Sequence, residues 1–263
     1  MLPQVRMLKN GGDNNMELLL IVHKETEEQY RIIGLLERKY AHAVGARHVS
    51  VVIVPYISNG INNKGKWLVH NRYPKQCARG EISPQNPEWN LFGGHCNPSK
   101  PVSEYFDKLL DFDDVWATVF DELQDELLIK NPSEGMAEKK LEIWEKGKII
   151  GKTKATPYPF DKDRLTFVGV AAFADNSNVE YTYYFALAID EDVVPLLTAA
   201  DDYEDKKSKE KNLVELPINY FAESELRAKY IKNDKEVCDA ITRLWLDENS
   251  AVLHKLRAVC SGN

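Results

Sequence analysis

The feature that most constrains the fold is the run RHVSVVIVPYI at residues 47–57. Its density of β-branched residues favours an extended chain, and its apolar character indicates a buried strand. Other strand-like and helix-like segments surround it in the order strand, helix, strands, acidic helix, strands and helices. This order predicts an α+β or α/β sandwich, in which a mixed β-sheet lies between helices.

The remaining elements follow from periodicity and from turn residues. We predict a helix over residues 24–45, because Tyr30, Ile33, Leu36 and Tyr40 recur at helical spacing and Gly45 can end it. A second helix is predicted over residues 113–129, with Asp113 or Asp114 as its cap. A hairpin is predicted around Gly147. Residues 201–211 are predicted to be a charged, solvated loop. The predicted strands cover residues 17–23, 47–57, 66–74, 89–96, 164–174, 179–189 and the segment from residue 212.

Composition narrows the class of protein. The 263 residues contain no run apolar enough for a membrane-spanning helix, and no signal peptide is recognised. The net charge of -7 argues against a nucleic-acid backbone as the main partner, because phosphate contacts need clusters of Lys and Arg. Cysteines form no CxxC pair and no zinc pattern, so reduced thiols in a cytoplasm are the simplest interpretation.

The second predicted helix concentrates Asp121, Glu122, Asp125 and Glu126 within six positions, with no basic residue among them. Like charges at i,i+4 destabilise a helix slightly. Glu122, Asp125 and Glu126 lie at i, i+3 and i+4 and so share a face. This face is either simply solvated, the usual case for a charge run, or a site for a hard cation such as Mg²⁺, which prefers oxygen ligands.

The glycine pair Gly93–Gly94 closes the strand that precedes the acidic helix, and glycine permits close approach of a backbone to a ligand. Together, WNLFGGHC, the strands around it and the helix DELQDELLI resemble the Nudix hydrolases. Their signature is G-x5-E-x7-R-E-U-x-E-E-x-G-U, with U a bulky aliphatic residue. The resemblance covers roughly residues 47–247 and implies a Nudix-like α/β/α sandwich.

The alignment assigns roles to individual residues. Glu122, Leu123, Glu126 and Ile129 fall on the E, U, E and U of the signature, and Asp125 replaces its middle Glu. The resemblance implies that Mg²⁺ or Mn²⁺ binds Glu122, Asp125 and Glu126. It also implies that Glu122 and Glu126 are catalytic.

Three departures bear on activity. Asp121 stands where the family has an Arg that orients the glutamates, and Leu128 replaces the terminal Gly. Because seven residues separate the first Glu from the Arg position, which is Asp121 here, Asp113 falls at the first Glu and is implied to be a further metal ligand. Gly94 and Asp113 are separated by 18 residues, thirteen more than the pattern (18 − 5), so Glu104 is an alternative for that position.

Two functions follow from the resemblance. The first is metal-dependent hydrolysis of a pyrophosphate bond, in a nucleoside diphosphate linked to another moiety or in a nucleoside triphosphate. Water would attack phosphorus, and a carboxylate would act as general base. The second is a catalytically inactive module that binds a nucleotide or a protein, which the acid at Asp121 favours. The three retained acids favour the enzyme.

Substrate contacts are predicted from the same pattern. Arg72 ends a strand beside the expected pocket and could bind phosphate in bidentate fashion, although a surface position is the default for Arg. Gly93, Gly94 and His95 form the loop that would enter the pocket. Cys96 follows them, and a Cys–His nucleophilic pair would need a suitable orientation.

The domain organisation is predicted in four parts. Residues 1–15 are a flexible leader, residues 16–45 a strand–helix extension, residues 46–250 the Nudix-like domain, and residues 251–263 a C-terminal tail. The extension would either enlarge the sheet or form a homodimer surface. Insertions at residues 97–112 and 130–160 would flank the pocket and set substrate choice.

Overall fold

The computed structural model of the protein describes residues 17–26, 29–58, 66–72, 88–130, 139–145, 148–174, 178–199, 213–217, 241, 244 and 250–261. The predicted leader at residues 1–15 and the predicted charged loop at residues 201–211 lie outside these ranges. The described helices are α1 (Arg38–Ala43), α2 (Phe112–Glu126) and α3 (Ser250–Ser261). The described strands are β1 (Leu18–Lys24), β2 (Tyr30–Glu37), β3 (Arg47–Ile57), β4 (Lys66–Arg72), β5 (Glu88–Asn90), β6 (Phe92–His95), β7 (Leu127–Lys130), β8 (Lys139–Glu145), β9 (Lys148–Pro157), β10 (Leu165–Ala174), β11 (Val179–Ile189), β12 (Leu197–Ala199) and β13 (Leu213–Pro217).

Strand β3 organises the main sheet, because both of its edges are hydrogen-bonded. On one edge β11 runs parallel to it over its whole length, from Val179 opposite Arg47 to Ile189 opposite Ile57. On the other edge β1, β6 and β4 pair antiparallel with successive parts of β3. Strand β10 extends the sheet beyond β11, β2 extends it beyond β1, and β5 and β13 pair with β4. The sheet is mixed, as predicted.

Helices cover both faces of the main sheet. The side of β3 that carries Val51 packs against α2, and the side that carries Val52 packs against α3. The α2 residues buried in this way are Val115, Val119 and Leu123. The α3 residues are Val252, Leu253 and Leu256. Because both sides of β3 are buried, its sequence is apolar without alternation, and the predicted α/β/α sandwich is confirmed.

A smaller antiparallel sheet has the strand order β12-β7-β9-β8. It contains the hairpin predicted in the insertion at residues 130–160: Glu145 at the end of β8 pairs with Lys148 at the start of β9. Gly147 itself lies outside the described residues. Strand β7 follows α2 directly, so this sheet is attached to the helix that carries the acidic residues.

The predicted helix over residues 24–45 is wrong for most of its length. Residues 30–37 form β2, which pairs antiparallel with β1, and only Arg38–Ala43 is helical. Burial alternates in the first part of β2: Tyr30 and Ile32 are buried, whereas Ile33 is 57% exposed. Pairing with β1 and this period of two outweigh the helical spacing. Gly45, with φ +61, follows the helix as predicted.

Helix α2 begins and ends differently from the prediction. Its cap is Asp111, whose side chain accepts a hydrogen bond from the backbone N–H of Asp113 at 3.1 Å. Asp114 is buried instead, and its Oδ1 accepts hydrogen bonds from the hydroxyls of Ser99 and Tyr105. The helix ends at Glu126, three residues before the predicted end, because residues 127–130 pair with β9 and β12 as β7.

The two ends of the described chain belong to the same sandwich. Ile21 of β1 pairs with His48 of β3, so the predicted extension enlarges the main sheet. The segment predicted to be a C-terminal tail forms α3, because its apolar residues bury against the sheet. None of the described helices combines the length and the apolar character that crossing a membrane requires.

Candidate active site

Glu126 is held by the first glycine of the pair. The backbone N–H of Gly93 donates a hydrogen bond to Glu126 Oε2 at 3.0 Å, which joins β6 to the last turn of α2. Gly93 has φ +144, and a Cβ at this position would lie 2.1 Å from the carbonyl oxygen of Val51. Only glycine fits between the neighbouring strand and the helix here, so the sequence signal at Gly93 has a physical cause.

Glu122 lies against the second glycine. A Cβ on Gly94 would lie 2.3 Å from Glu122 Oε1 and 2.7 Å from its Cδ, so the carboxylate occupies the space that any side chain at this position would need. Glu122 and Glu126 are one helical turn apart and therefore share a face of α2. The sheet and helix thus bring together two predicted catalytic residues and two predicted substrate-binding glycines.

The other acids of α2 differ in their surroundings. Glu122 and Glu126 are half-buried, whereas Asp121 and Asp125 are exposed. Asp125 remains within one turn of both glutamates, at the solvent side. Asp113 is exposed in the first turn of the helix, nine positions before Glu122, which corresponds to roughly 13 Å along the helix axis. The fold does not bring Asp113 together with the glutamates.

His95 lies on the opposite side of the sheet. It pairs with Ser50, whereas Gly94 pairs with Val51, the β3 residue on the α2 side. Its ring contacts Glu17 Oε1 at 3.1 Å and Glu180 Oε1 at 3.7 Å. The hydrogen bond with His95 is the main cause that lowers the pKa of Glu17 to about 2. The fold therefore does not bring His95 together with the two glutamates.

Cys96 does not form a nucleophilic pair with His95. The Cys96 side chain is fully buried, and this burial raises its pKa to about 12. It belongs to the hydrophobic cluster that includes α2, on the side of the sheet away from the His95 ring. The thiol is therefore protonated at neutral pH and unsuited to attack a substrate.

Arg72 is the last residue of β4 and pairs with Glu88 of β5. Its side chain lies outside the described part of the structure, so its role in phosphate binding remains a prediction.

The sequence analysis assigned no function to two histidines that lie beside His95, on the side of the sheet away from the two glutamates. His42 of α1 and His48 of β3 lie with His95 and Glu180, and one ligand atom from each of the four residues lies within 4.8 Å of every other. The sequence signal that could have pointed to this cluster is His48, a polar residue in the apolar run of β3, which the structure shows to be fully buried. The other members come from distant parts of the chain.

Comparison with known proteins gives similarity of structure only. No protein-family model matches the chain, and no curated protein matches it. Solved structures that it resembles include a NUDIX hydrolase from Alicyclobacillus acidocaldarius, with a TM-score of 0.38 and 12% identity over 78% of this chain and 95% of that one. An Ap4A hydrolase from C. elegans gives a TM-score of 0.34 and 11% identity over 82% and 98% of the two chains.

An ADP compounds hydrolase gives a TM-score of 0.32 and 12% identity over 94% of this chain and 93% of its own. Nudix hydrolases, the family whose signature the sequence resembles, are thus among the solved structures that this chain is similar to.

Proposed function

We propose that this protein is a metal-dependent hydrolase of the Nudix type. Its substrate would be a nucleoside diphosphate linked to another moiety, or a nucleoside triphosphate, cleaved at a pyrophosphate bond. The observation that carries the proposal is the contact of Glu122 and Glu126 with the glycine pair Gly93–Gly94. The glycine pair and the acidic helix, which carry the resemblance, are in contact there although about 30 residues separate them in the chain.

The donor atoms of the site suit a divalent metal ion. Mg²⁺ and Mn²⁺ prefer oxygen ligands, and Mg²⁺ is usually held by one or two carboxylates together with water and substrate phosphates. Glu122 and Glu126 would hold the ion, with Asp125 at the solvent side of the same turn. Asp113 is left out of this set because of its distance along the helix. When bound, the ion would polarise the phosphate and lower the pKa of water.

The chain itself orients the carboxylates. The N–H of Gly93 fixes Glu126 Oε2, and the absence of a side chain at Gly94 lets Glu122 lie against the strand. One of these carboxylates would accept the proton of the attacking water while a new P–O bond forms. The P–O bond to the leaving phosphate would break in the same step. Arg72 would contact a phosphate group of the substrate.

The experiment is a turnover assay on a panel of nucleoside di- and triphosphate derivatives, with Mg²⁺, with Mn²⁺ and with chelator, read by mass spectrometry. We expect metal-dependent cleavage of at least one class of compound. The Glu122→Gln variant should lose at least about 100-fold of this turnover, a size seen when one preorganised electrostatic group is removed. Asp121→Asn is the matched control, since it removes the same charge from an exposed position of the same helix.

The outcomes separate the two functions considered for this sequence. An equal loss of turnover in Glu122→Gln and Asp121→Asn would mean that the net charge of the helix, and not the specific position of Glu122, determines the rate. No turnover of any compound, together with an unchanged melting temperature on addition of metal, would support the inactive binding module. In that case the first variant to test for restored turnover is Asp121→Arg, which introduces the Arg that the signature has at this position.

Gly94→Ala should lower turnover at least about tenfold while changing stability little. The new Cβ would overlap the carboxylate of Glu122, which is the flexible end of a side chain and can move aside. Displacement of a reacting or ligating group by about 1 Å can cost up to about 100-fold in rate. Gly34→Ala is the control, because a Cβ on Gly34 meets nothing within 4 Å. Unchanged kcat in Gly94→Ala would contradict a role for the position of Glu122.

A further inference from the structure

A second polar cluster lies on the side of the main sheet away from α2. It consists of His42, His48, His95 and Glu180, which come from α1, β3, β6 and β11. One ligand atom of each residue lies within 4.8 Å of every other. His48 is fully buried, Glu180 is 5% exposed, and the side chain of His95 is 12% exposed. Three imidazoles and one carboxylate are thus gathered in an interior where polar groups need partners.

The distances within this cluster do not fit hydrogen bonds. Glu180 Oε1 lies 3.6 Å from His48 Nε2 and 3.7 Å from His95 Nε2. N–H···O hydrogen bonds are mostly 2.7–3.2 Å long. A tetrahedral ion with bonds of 2.0–2.1 Å holds its ligand atoms about 3.3 Å apart. The observed separations of 3.6 and 3.7 Å are too long for hydrogen bonds and are close to the spacing of ligand atoms around such an ion.

In two of the histidines, the ring nitrogen that faces away from the cluster has a hydrogen-bond partner outside it. His48 Nδ1 lies 2.9 Å from the backbone carbonyl of Ala46. A carbonyl only accepts, so Nδ1 carries the hydrogen, and Nε2 of the neutral ring presents its lone pair to the cluster. His95 Nδ1 lies 3.1 Å from Glu17 Oε1 in the same way. A backbone carbonyl or carboxylate on the far nitrogen is the usual support of a metal-binding histidine.

The carboxylate of Glu180 is also oriented. Ser50 Oγ donates to Glu180 Oε2 at 2.8 Å and lies 2.9 Å from Thr182 Oγ1. The other oxygen, Oε1, faces the two histidines, with Asn178 Nδ2 also bonded to it. A ligating carboxylate with a hydrogen bond on its second oxygen is again a common feature of metal sites.

Two nitrogens of the cluster lack a partner. Within the described residues, Nε2 of His42 and Nε2 of His48 are buried and make no hydrogen bond. Leaving such a group unpaired loses its hydrogen bonds to water without replacement, so a native structure seldom retains it without a reason. The two rings also stack, with centroids 5.2 Å apart, which places the unpaired atoms in one small region.

We propose that His42, His48, His95 and Glu180 form a structural zinc site that is separate from the glutamates of α2. Nitrogen-rich ligands favour a borderline ion such as Zn²⁺ over Mg²⁺, and four protein ligands without an open position are typical of structural sites. The ion would link the short helix α1 to three strands of the main sheet. This assignment does not depend on the proposed hydrolase activity.

The test uses the full-length chain without a polyhistidine tag, because a tag binds the same ions. The protein is treated with chelator, and Zn²⁺ is then titrated against a chromophoric competitor, with metal content measured by mass spectrometry. We expect one Zn²⁺ per chain, retained in excess Mg²⁺, and a higher melting temperature with Zn²⁺. Co²⁺ in its place should give the absorption of a four-coordinate site.

Variants decide the ligand set. His42→Gln and Glu180→Gln should each weaken Zn²⁺ binding at least about 100-fold, since even an outer partner of a metal ligand is worth 10- to 100-fold in affinity. His254→Gln is the control, because His254 is exposed on α3. Glu122→Gln should leave Zn²⁺ binding unchanged, which excludes capture by the α2 acids. Should Glu180→Gln fail to fold, His42→Gln decides, since its ring is only half-buried.

Three results would overturn the proposal. The first is no stoichiometric Zn²⁺ binding by the folded wild-type chain. The second is unchanged affinity in folded His42→Gln. The third is an equal loss of affinity in His254→Gln or Glu122→Gln. A hydrolase without bound Zn²⁺ would contradict this site alone, and a zinc-binding protein without turnover would contradict the proposed activity alone.

Discussion

We expect the Glu126→Gln variant to lose at least about 100-fold of the metal-dependent turnover while keeping its fold. The amide oxygen of Gln can still accept the hydrogen bond from Gly93 N–H, so the contact between β6 and α2 survives. The negative charge, which a metal ligand or a general base needs, is lost. A 100-fold loss corresponds to about 2.7 kcal/mol of transition-state stabilisation. The measurements are kcat with Mg²⁺ and the melting temperature.

The controls separate chemistry from structure. Glu126→Ala removes both the charge and the acceptor, so it should lose the same activity and also some stability, about 1.5–3 kcal/mol for a lost hydrogen bond to a charged group. Asp121→Asn should stay within about threefold of wild type, because Asp121 is exposed. Full activity in Glu126→Gln would remove Glu126 from the site and, with it, the proposed mechanism.

Gly93→Ala should destabilise the protein by about 4 kcal/mol or more, or prevent folding. The added Cβ would lie 2.1 Å from the carbonyl oxygen of Val51 and 3.0 Å from the Cα of Val52, which are backbone atoms of the central strand and cannot move aside. The φ of +144 adds strain for any residue with a side chain. Urea unfolding monitored by circular dichroism measures the free energy.

Two control substitutions, at Gly94 and at Gly34, show whether the contact with β3 causes the loss of stability in Gly93→Ala. Gly94→Ala meets a flexible carboxylate and should stay folded with reduced turnover, and Gly34→Ala meets nothing and should stay within about 1 kcal/mol of wild type. If Gly93→Ala unfolds at the same urea concentration as Gly34→Ala, β6 does not pack closely enough on β3 to exclude a side chain at Gly93.

Local sequence patterns were sufficient to predict several strands and one hairpin of the fold. The β-branched run of β3, the paired strands β10 and β11, and the hairpin of β8 and β9 were all predicted from patterning and turn residues. Helical spacing predicts the shared face of Glu122 and Glu126, whereas the site roles of these glutamates and of the glycine pair follow from the resemblance to the Nudix signature. Each of these signals lies within a few residues, where steric and hydrogen-bonding preferences act directly.

Local sequence failed where two patterns compete. Tyr30, Ile33 and Leu36 have helical spacing, yet residues 30–37 form β2 because β1 offers hydrogen bonds along its edge. The end of α2 shows the same competition, since residues 127–130 could continue the helix but pair with β9 and β12. Tertiary pairing outweighs a propensity that differs by only tenths of a kcal/mol per residue.

By itself, the sequence determined most strands of the main sheet and the helix that carries the acids. Its resemblance to the Nudix signature singled out Gly93, Gly94, Glu122 and Glu126 as candidate site residues. Only the tertiary structure decided which side chains share a face of the sheet. His95 is next to Gly94 in the chain, but successive residues of a strand point to opposite faces, so it joins His42, His48 and Glu180 instead. Those residues come together through the pairing of β3 with β6 and β11, which no local pattern in the chain encodes.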